Sequence, residues 1–118
     1  MTFDEAINKV TEELKKEGFG VLTEIDVTAA LKKKINVDFR KYRILGACNP
    51  SFAYKALLAE DKIGTMLPCN VVVQETKGGK VEIAAVNPVA SMQAIENESL
   101  GDIAVTVQSK LRQVIENV

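Results

Sequence analysis

The feature that most constrains this chain is a pair of apolar runs joined by a short turn with two glycines. One run lies at 71–73 (VVV), the turn at 77–80 (KGGK), and the second run at 83–86 (IAAV). Two adjacent glycines supply the positive φ angles that a tight hairpin turn needs. We therefore predict strands over 70–76 and 80–86 that pair as an antiparallel hairpin.

Both strands of this hairpin are apolar at consecutive positions. In a sheet with one solvent-exposed face, by contrast, apolar and polar residues alternate along each strand. Two arrangements satisfy that pattern. Helices of the same chain cover both faces of the sheet, or a second subunit covers one of them. The predicted helices are few and several are short, so we expect the second arrangement, a homodimer.

Helical periodicity marks both ends of the chain. Residues 3–17 carry apolar side chains at spacings of three and four, which predicts an amphipathic helix. Thr2 and Glu5 have the spacing of a capping box, and Gly18 is a typical helix stop. We predict the last helix to begin at Ser99, which forms a second capping-box pattern with Asp102 three residues on.

The middle of the chain reads as alternating strands and helices. We predict strands at 19–25 and 42–47, a helix over 27–35 and a helix from Pro50 to Glu60. We predict Asp26 and Asn49 as the N-caps of these two helices, and Asn87 as the N-cap of a short helical segment further on. A proline follows both asparagines, as is common at the first position of a helix. The predicted order is α-β-α-β-α-β-β-α. We expect an α+β fold, a two-layer α/β sandwich whose four-stranded sheet is largely antiparallel.

Length and composition narrow the function classes. A chain of 118 residues predicts a single domain over 1–118. It has no histidine, which excludes Ser-His-Asp and Cys-His catalysis and histidine metal sites from this chain alone. A net charge of −1 argues against a nucleic-acid partner. No apolar run approaches the roughly 18 to 20 residues of a membrane span, and no signal peptide is recognisable, so we expect a cytoplasmic protein.

The two cysteines are the sharpest chemical feature. Cys48 precedes a predicted helix start, where unpaired N–H groups and the helix dipole favour a thiolate. Cys69 opens the next strand. If the two strands that carry them are antiparallel, the thiols meet at one end of the sheet; if the strands are parallel, the thiols lie near opposite ends. The spacing is not the Cys-x-x-Cys of zinc sites, and we predict no metal site and no particular cofactor.

A second set of polar residues surrounds the predicted corner between the first strand and the second helix. Asp26 lies at that corner and Lys32 lies two turns into the helix, so Lys32 or Arg43 would be placed to hold an anion. We predict one polar cleft for a small or anionic ligand, formed by Cys48, Asn49, Cys69, Asp26 and Lys32.

Three segments resemble a known family. They are 24–32 (EIDVTAALK), 45–50 (LGACNP) and 67–73 (LPCNVVV). Together they resemble the domain-of-unknown-function family three hundred and two, over nearly the whole chain. The resemblance implies a two-layer α/β domain that forms a dimer, and it implies no established activity. The motif positions that carry over are Asp26, Leu31, Lys32, Cys48, Asn49, Pro50, Pro68 and Cys69.

Three functional hypotheses follow. The first is a small homodimeric domain that binds a small ligand, or takes part in redox chemistry, at a cleft near Cys48 and Cys69. The alternative is a structural or interaction module in which both cysteines are core residues. The third is an enzyme with Cys48 as nucleophile, which would need the helix start or Lys32 as activator in place of an imidazole.

Overall fold

Four strands form one antiparallel sheet in which each strand pairs with the next strand along the chain, in the order β1-β2-β3-β4. The structure, a computed structural model, describes residues 1–118. The predicted hairpin is confirmed, with Gly78 and Gly79 both at positive φ in its turn. The strands are β1 (Gly20–Asp26), β2 (Tyr42–Cys48), β3 (Cys69–Glu75) and β4 (Val81–Ala85).

Five helices complete the predicted α+β fold, and the order α-β-α-β-α-β-β-α is confirmed, with one further short helix before the last. None of these helices is both long enough and apolar enough to cross a membrane. Single 3-10 turns at Ile63–Met66, Met92–Ala94 and Glu98–Leu100 occupy parts of the connections. The helices are α1 (Phe3–Lys16), α2 (Val27–Ile35), α3 (Pro50–Ala59), α4 (Pro88–Ser91) and α5 (Gly101–Asn117).

Helix capping follows the sequence at three of the predicted places. The Glu5 amide donates to Thr2 Oγ1 at 3.1 Å, and the Ala29 amide donates to Asp26 Oδ1 at 3.0 Å. Asn87 accepts in the same way at the start of α4. These bonds satisfy amides that have no partner within the helix.

One predicted helix start is wrong, and one predicted N-cap holds its position without a capping hydrogen bond. Helix α5 begins at Gly101 rather than at Ser99, because Asn97 caps a separate 3-10 turn by accepting from the Ser99 amide at 3.0 Å. Asn49 stands at the N-cap position of α3 but makes no capping hydrogen bond. Its Nδ2 donates instead to the Glu17 carbonyl at 3.3 Å, so it joins the start of α3 to the end of α1.

Helices α1 and α5 pack together over one face of the sheet. On this face, residues that pair across neighbouring strands form rows. In one such row, Leu45 lies opposite Val71 and Val71 lies opposite Ala85. Burial of this apolar surface is the main stabilising contribution to such a fold. The buried residues of this cluster are Phe3, Ala6, Val10, Leu14, Phe19, Leu45, Ala47, Cys69, Val71, Val73, Val107, Leu111 and Val114.

The other face of the sheet, here called the open face, carries an apolar row that neither α1 nor α5 covers. Ile25 lies opposite Ile44, Ile44 opposite Val72, and Val72 opposite Ala84, so the row crosses all four strands. Ile25 and Ala84 are exposed. The shortest dimension of the molecule is 20 Å, which fits one sheet and one helical layer.

Candidate functional site

The two thiols lie at the same end of the sheet. Cys69 begins β3 directly opposite Ala47, and Cys48 is the next residue of β2. The antiparallel alternative is therefore the correct one. Both cysteines line a small cavity, here called the thiol cavity, of about 30 Å³, whose other walls include Phe19, Phe52 and Met92.

The surroundings of Cys48 oppose the thiolate that its position before a helix start favours. Burial raises the pKa of the Cys48 thiol above its ordinary value, and the pKa of Cys69 is raised by burial and then by the charge of Cys48. In these apolar surroundings, the free-energy cost of removing a thiolate from water exceeds the stabilisation that the helix dipole gives it. Cys69 is buried in the main core and Cys48 is partly buried. Burial therefore works against the activation of either thiol as a nucleophile.

Asp26 lies at the opposite end of the sheet from the thiols. In β1, Gly20 pairs with Cys48, whereas Asp26 pairs with Arg43. Seven residues of extended strand separate these ends by about 20 Å. The single cleft predicted to join Cys48, Asn49 and Cys69 to Asp26 and Lys32 is therefore wrong. Because β1 and β2 are antiparallel, the residue that ends one strand lies beside the start of the other, so the two helix starts cannot converge.

Asp26 and Lys32 line a second and much larger cavity, here called the charged pocket, of about 420 Å³. It lies between the first turn of α1, the first turns of α2, the connection at 36–41 and the start of β2. Three aromatic rings, three cations and three carboxylates surround it. The lining residues are Phe3, Asp4, Asp26, Thr28, Ala29, Lys32, Val37, Asp38, Phe39, Lys41, Tyr42 and Arg43.

Arg43 is the most constrained cation of the charged pocket. Its Nη1 donates to Glu24 at 2.7 Å and its Nη2 to Asp26 at 3.3 Å. The hydrogen bond to Glu24, followed by the charge of Asp26, raises the pKa of Arg43 against the opposing effect of burial. Its Nε is buried and has no hydrogen-bond partner. A buried N–H donor without a partner is uncommon in proteins and often marks a place for water or a ligand.

The other two cations differ in their partners. Lys32 pairs with Asp38 at 3.0 Å, but both side chains are largely exposed, so the pair contributes little. Lys41 makes no ion pair within 4.0 Å, and its Nζ lies 5.9 Å from the centre of the Phe3 ring. Lys41 is therefore the cation of this pocket that is free to meet an anion.

The aromatic rings form two groups within the charged pocket. The Phe39 and Tyr42 rings lie 6.2 Å apart at an angle of 54°, and the Arg40 guanidinium stacks on Phe39 at 4.3 Å. The buried Phe3 ring lies near the guanidinium of Arg43, at 5.7 Å. Rings held in this way offer flat apolar surface beside charged groups.

Sequence reasoning missed the aromatic members of the charged pocket. It placed Phe3 in the apolar face of the first helix and left Phe39 in a connection. The run 39–43 (FRKYR) carried the available signal, because it places two aromatic residues among three basic ones at the edge of a predicted strand. Nowhere in the chain, the charged pocket included, is a group of three or more His, Cys, Asp or Glu side chains placed to hold a metal ion.

Comparison with known proteins agrees with the motifs. The family model described as Domain of unknown function DUF302 matches residues 1–118. The crystal structure of uncharacterized conserved protein DUF302 from Bacillus stearothermophilus has a TM-score of 0.92 and 31% sequence identity, over 99% of this chain and 91% of that chain. No curated protein matches. By its sequence and its fold, the chain belongs to the DUF302 family.

Proposed function

We propose that the chain is a single-domain, cytoplasmic binding protein, and that the charged pocket holds its ligand, a flat aromatic molecule with an anionic group. The observation that carries the proposal is the free lysine beside aromatic rings in a pocket of about 420 Å³. That volume falls within the range of small-molecule sites. The thiol cavity, at about 30 Å³, is too small for an organic ligand.

The charges of the pocket favour an anion over a cation. Asp26 already accepts from the Ala29 amide and from Arg43, and Asp38 is paired with Lys32. Asp4 lies in the first turn of α1, where a carboxylate is favoured by the helix dipole. Lys41 and the unpartnered Arg43 Nε remain to receive a negatively charged group.

The rings determine the rest of the ligand. Phe39 and Tyr42 present aromatic surface at the wall of the pocket, and one face of Phe39 is already stacked by Arg40. A planar ring stacked or packed edge-on against such side chains gains about 0.5–1.5 kcal/mol beyond the burial of its area. A flexible aliphatic acid would gain the charge interaction without this contribution.

An NMR titration tests the proposal with two matched probes, naphthalene-2-sulfonate and the less charged 2-naphthol. We expect the backbone amides of Thr28, Phe39 and Tyr42 to shift with both probes, and the sulfonate to bind more tightly. Lys41→Gln should weaken sulfonate binding about two- to fivefold and leave naphthol binding unchanged, which is the effect of one exposed charge. Lys77→Gln, in the β3–β4 turn, is the matched control. No shift at the pocket amides, or equal loss with both probes, would contradict the proposal.

We further propose that two copies of this chain pair through the open face of the sheet. Glu82 is the one charged residue that strand alternation places on this face. Its carboxylate accepts a hydrogen bond from the Gln74 amide at 3.0 Å. Ile25 keeps 50% and Leu22 68% of its surface exposed in the monomer. A second copy presents the same apolar row, so a two-fold pairing covers both rows at once.

Light scattering after size-exclusion chromatography tests the pairing. We expect twice the chain mass of 12.9 kDa at micromolar concentration. Val72→Glu, at the centre of the row, should give the monomer mass, because a carboxylate buried there without a partner is costly. Leu58→Glu, at a site on α3 that is already 70% exposed, should leave the dimer intact. A wild-type protein of monomer mass would refute the pairing.

A further inference from the structure

The thiol cavity supports an inference that is independent of the ligand in the charged pocket. Three residues with sulfur line it, namely Cys48, Cys69 and Met92. We propose that this cavity binds one copper(I) ion per chain, with the sulfurs of Cys48 and Cys69 as thiolate ligands and the thioether of Met92 as a third ligand.

The three sulfur residues come from separate parts of the chain. Cys48 ends β2, Cys69 begins β3, and Met92 begins a 3-10 turn that follows α4. The chain contains only two cysteines and three methionines, so the cavity gathers both thiols and one thioether. Cys69 lies directly opposite Ala47, the residue before Cys48, and both cysteines line the same cavity.

The size of the cavity excludes most other occupants. About 30 Å³ admits a single ion or a water molecule and no organic ligand. Of the ten lining residues other than the three proposed ligands, all but Asn49 and Pro68 are hydrophobic, so a bound ion would be largely withdrawn from water. Cys48 is partly exposed and gives an ion a way in.

The ligand chemistry selects the metal. No carboxylate and no histidine lines the cavity, so magnesium, calcium and manganese find no anionic oxygen ligand. Structural zinc takes four ligands in a tetrahedron, and this chain offers two thiolates. Copper(I) is soft and prefers thiolate and thioether sulfur. Binding breaks two S–H bonds, forms two S–Cu bonds and releases two protons to solvent, with no change in the oxidation state of copper.

Anaerobic titration with acetonitrile-stabilised copper(I), in competition with bicinchoninate, tests this site. Native mass spectrometry of the same samples gives the number of ions per chain. We expect one copper per chain and depletion of the copper–bicinchoninate complex by the protein. Cys48→Ser and Cys69→Ser should each weaken binding by more than about 100-fold, the upper range for partners that only support a metal ligand. Circular dichroism of each variant shows whether the fold is retained.

Two methionine variants separate ligation from packing. Met92→Leu keeps the apolar volume and should weaken copper binding without removing it, whereas Met66→Leu, outside the cavity, should leave binding unchanged. Cys48 is less buried than Cys69, so Cys48→Ser can still test the site if Cys69→Ser fails to fold. Copper binding that survives Cys48→Ser in a folded protein, or a wild type that cannot compete with bicinchoninate, would overturn the proposal. Either result leaves the charged pocket untouched.

Discussion

Pro68 lies so closely over Gly46 that a β-carbon added to this glycine would stand 2.8 Å from Pro68 Cγ. The hydroxyl of Thr23 in β1 fills the remaining space on the same side. Gly46 is therefore a point of close approach in the middle of β2, and its lack of a side chain lets the segment before β3 fold back on the sheet.

Gly46→Ala should lower the free energy of unfolding by about 1–3 kcal/mol, the usual cost of overpacking. Urea denaturation measures the change. Gly20→Ala is the matched control, since a β-carbon there meets no atom within 4 Å and the backbone angle is ordinary. Equal stability of the two variants would show that Thr23 and Pro68 move aside freely.

Asp26 combines two roles that substitution can separate. Its carboxylate caps α2 through the Ala29 amide and pairs with Arg43. Asp26→Ala should cost about 1 kcal/mol of stability through loss of the cap. Asp26→Asn keeps a capping oxygen and should cost less, because the pair with Arg43 is partly exposed to solvent. Equal losses measured by thermal or urea unfolding would assign the stability to the ion pair instead.

Glu13 should make the stability of the protein depend on pH. It is 5% exposed, accepts a hydrogen bond from Lys16 at 2.8 Å and forms an ion pair with Lys9 at 3.3 Å, and the bond to Lys16 holds its pKa below the ordinary value of 4.5. A lowered folded-state pKa stabilises the protein above the unfolded-state pKa, and this stabilisation is lost as the pH falls through the folded-state value.

Glu13→Gln should therefore be less stable than the wild type near pH 7, and the gap should shrink toward about pH 3. Urea denaturation at both pH values gives the comparison. Glu116→Gln, on an exposed position of α5 without an ion pair, should show no such pH dependence. A gap that stays constant with pH would assign the effect of Glu13→Gln to packing.

The two thiols should differ in reactivity. Iodoacetamide should label Cys48 in the native protein and Cys69 only after unfolding, because Cys69 is 7% exposed. The rate at Cys48 should still be rising at pH 9, since burial places its pKa above the ordinary 9.0. Peptide mass spectrometry of native and urea-treated samples assigns the labelled residue. Fast labelling of Cys48 at neutral pH would restore the nucleophile hypothesis.

Local patterns were sufficient to predict most of the fold. The apolar spacing of residues 3–17, the caps at Thr2 and Asp26 and the Gly78-Gly79 turn each act within a few residues, so they can be read without knowing the rest of the chain. Asn49 could not be predicted in this way, because its amide bonds to Glu17, thirty-two residues earlier. Ser99 failed as a cap because it lies inside a 3-10 turn that Asn97 caps, and α5 begins only at Gly101.

The locations of the candidate sites follow from the pairing of the strands rather than from sequence motifs. The position of Cys48 beside Cys69 follows from the β2–β3 register, which chain length alone left open. The β1–β2 register places Asp26 at the far end of the sheet from the thiols, and no local sequence pattern indicates this separation. Phe3 became part of the charged pocket because the start of α1 brings its ring near the guanidinium of Arg43 in β2, which is a tertiary contact.

The packing of α1 against α5 has a consequence for the order of folding. The β3–β4 hairpin forms between neighbouring segments, but Val71 and Val73 are buried in a cluster that also contains Val107, Leu111 and Val114 of α5. The core of the sheet therefore closes only when helices from distant parts of the chain meet over it. Contacts between distant segments form more slowly than local ones, so we expect the closing of this core to limit the folding rate.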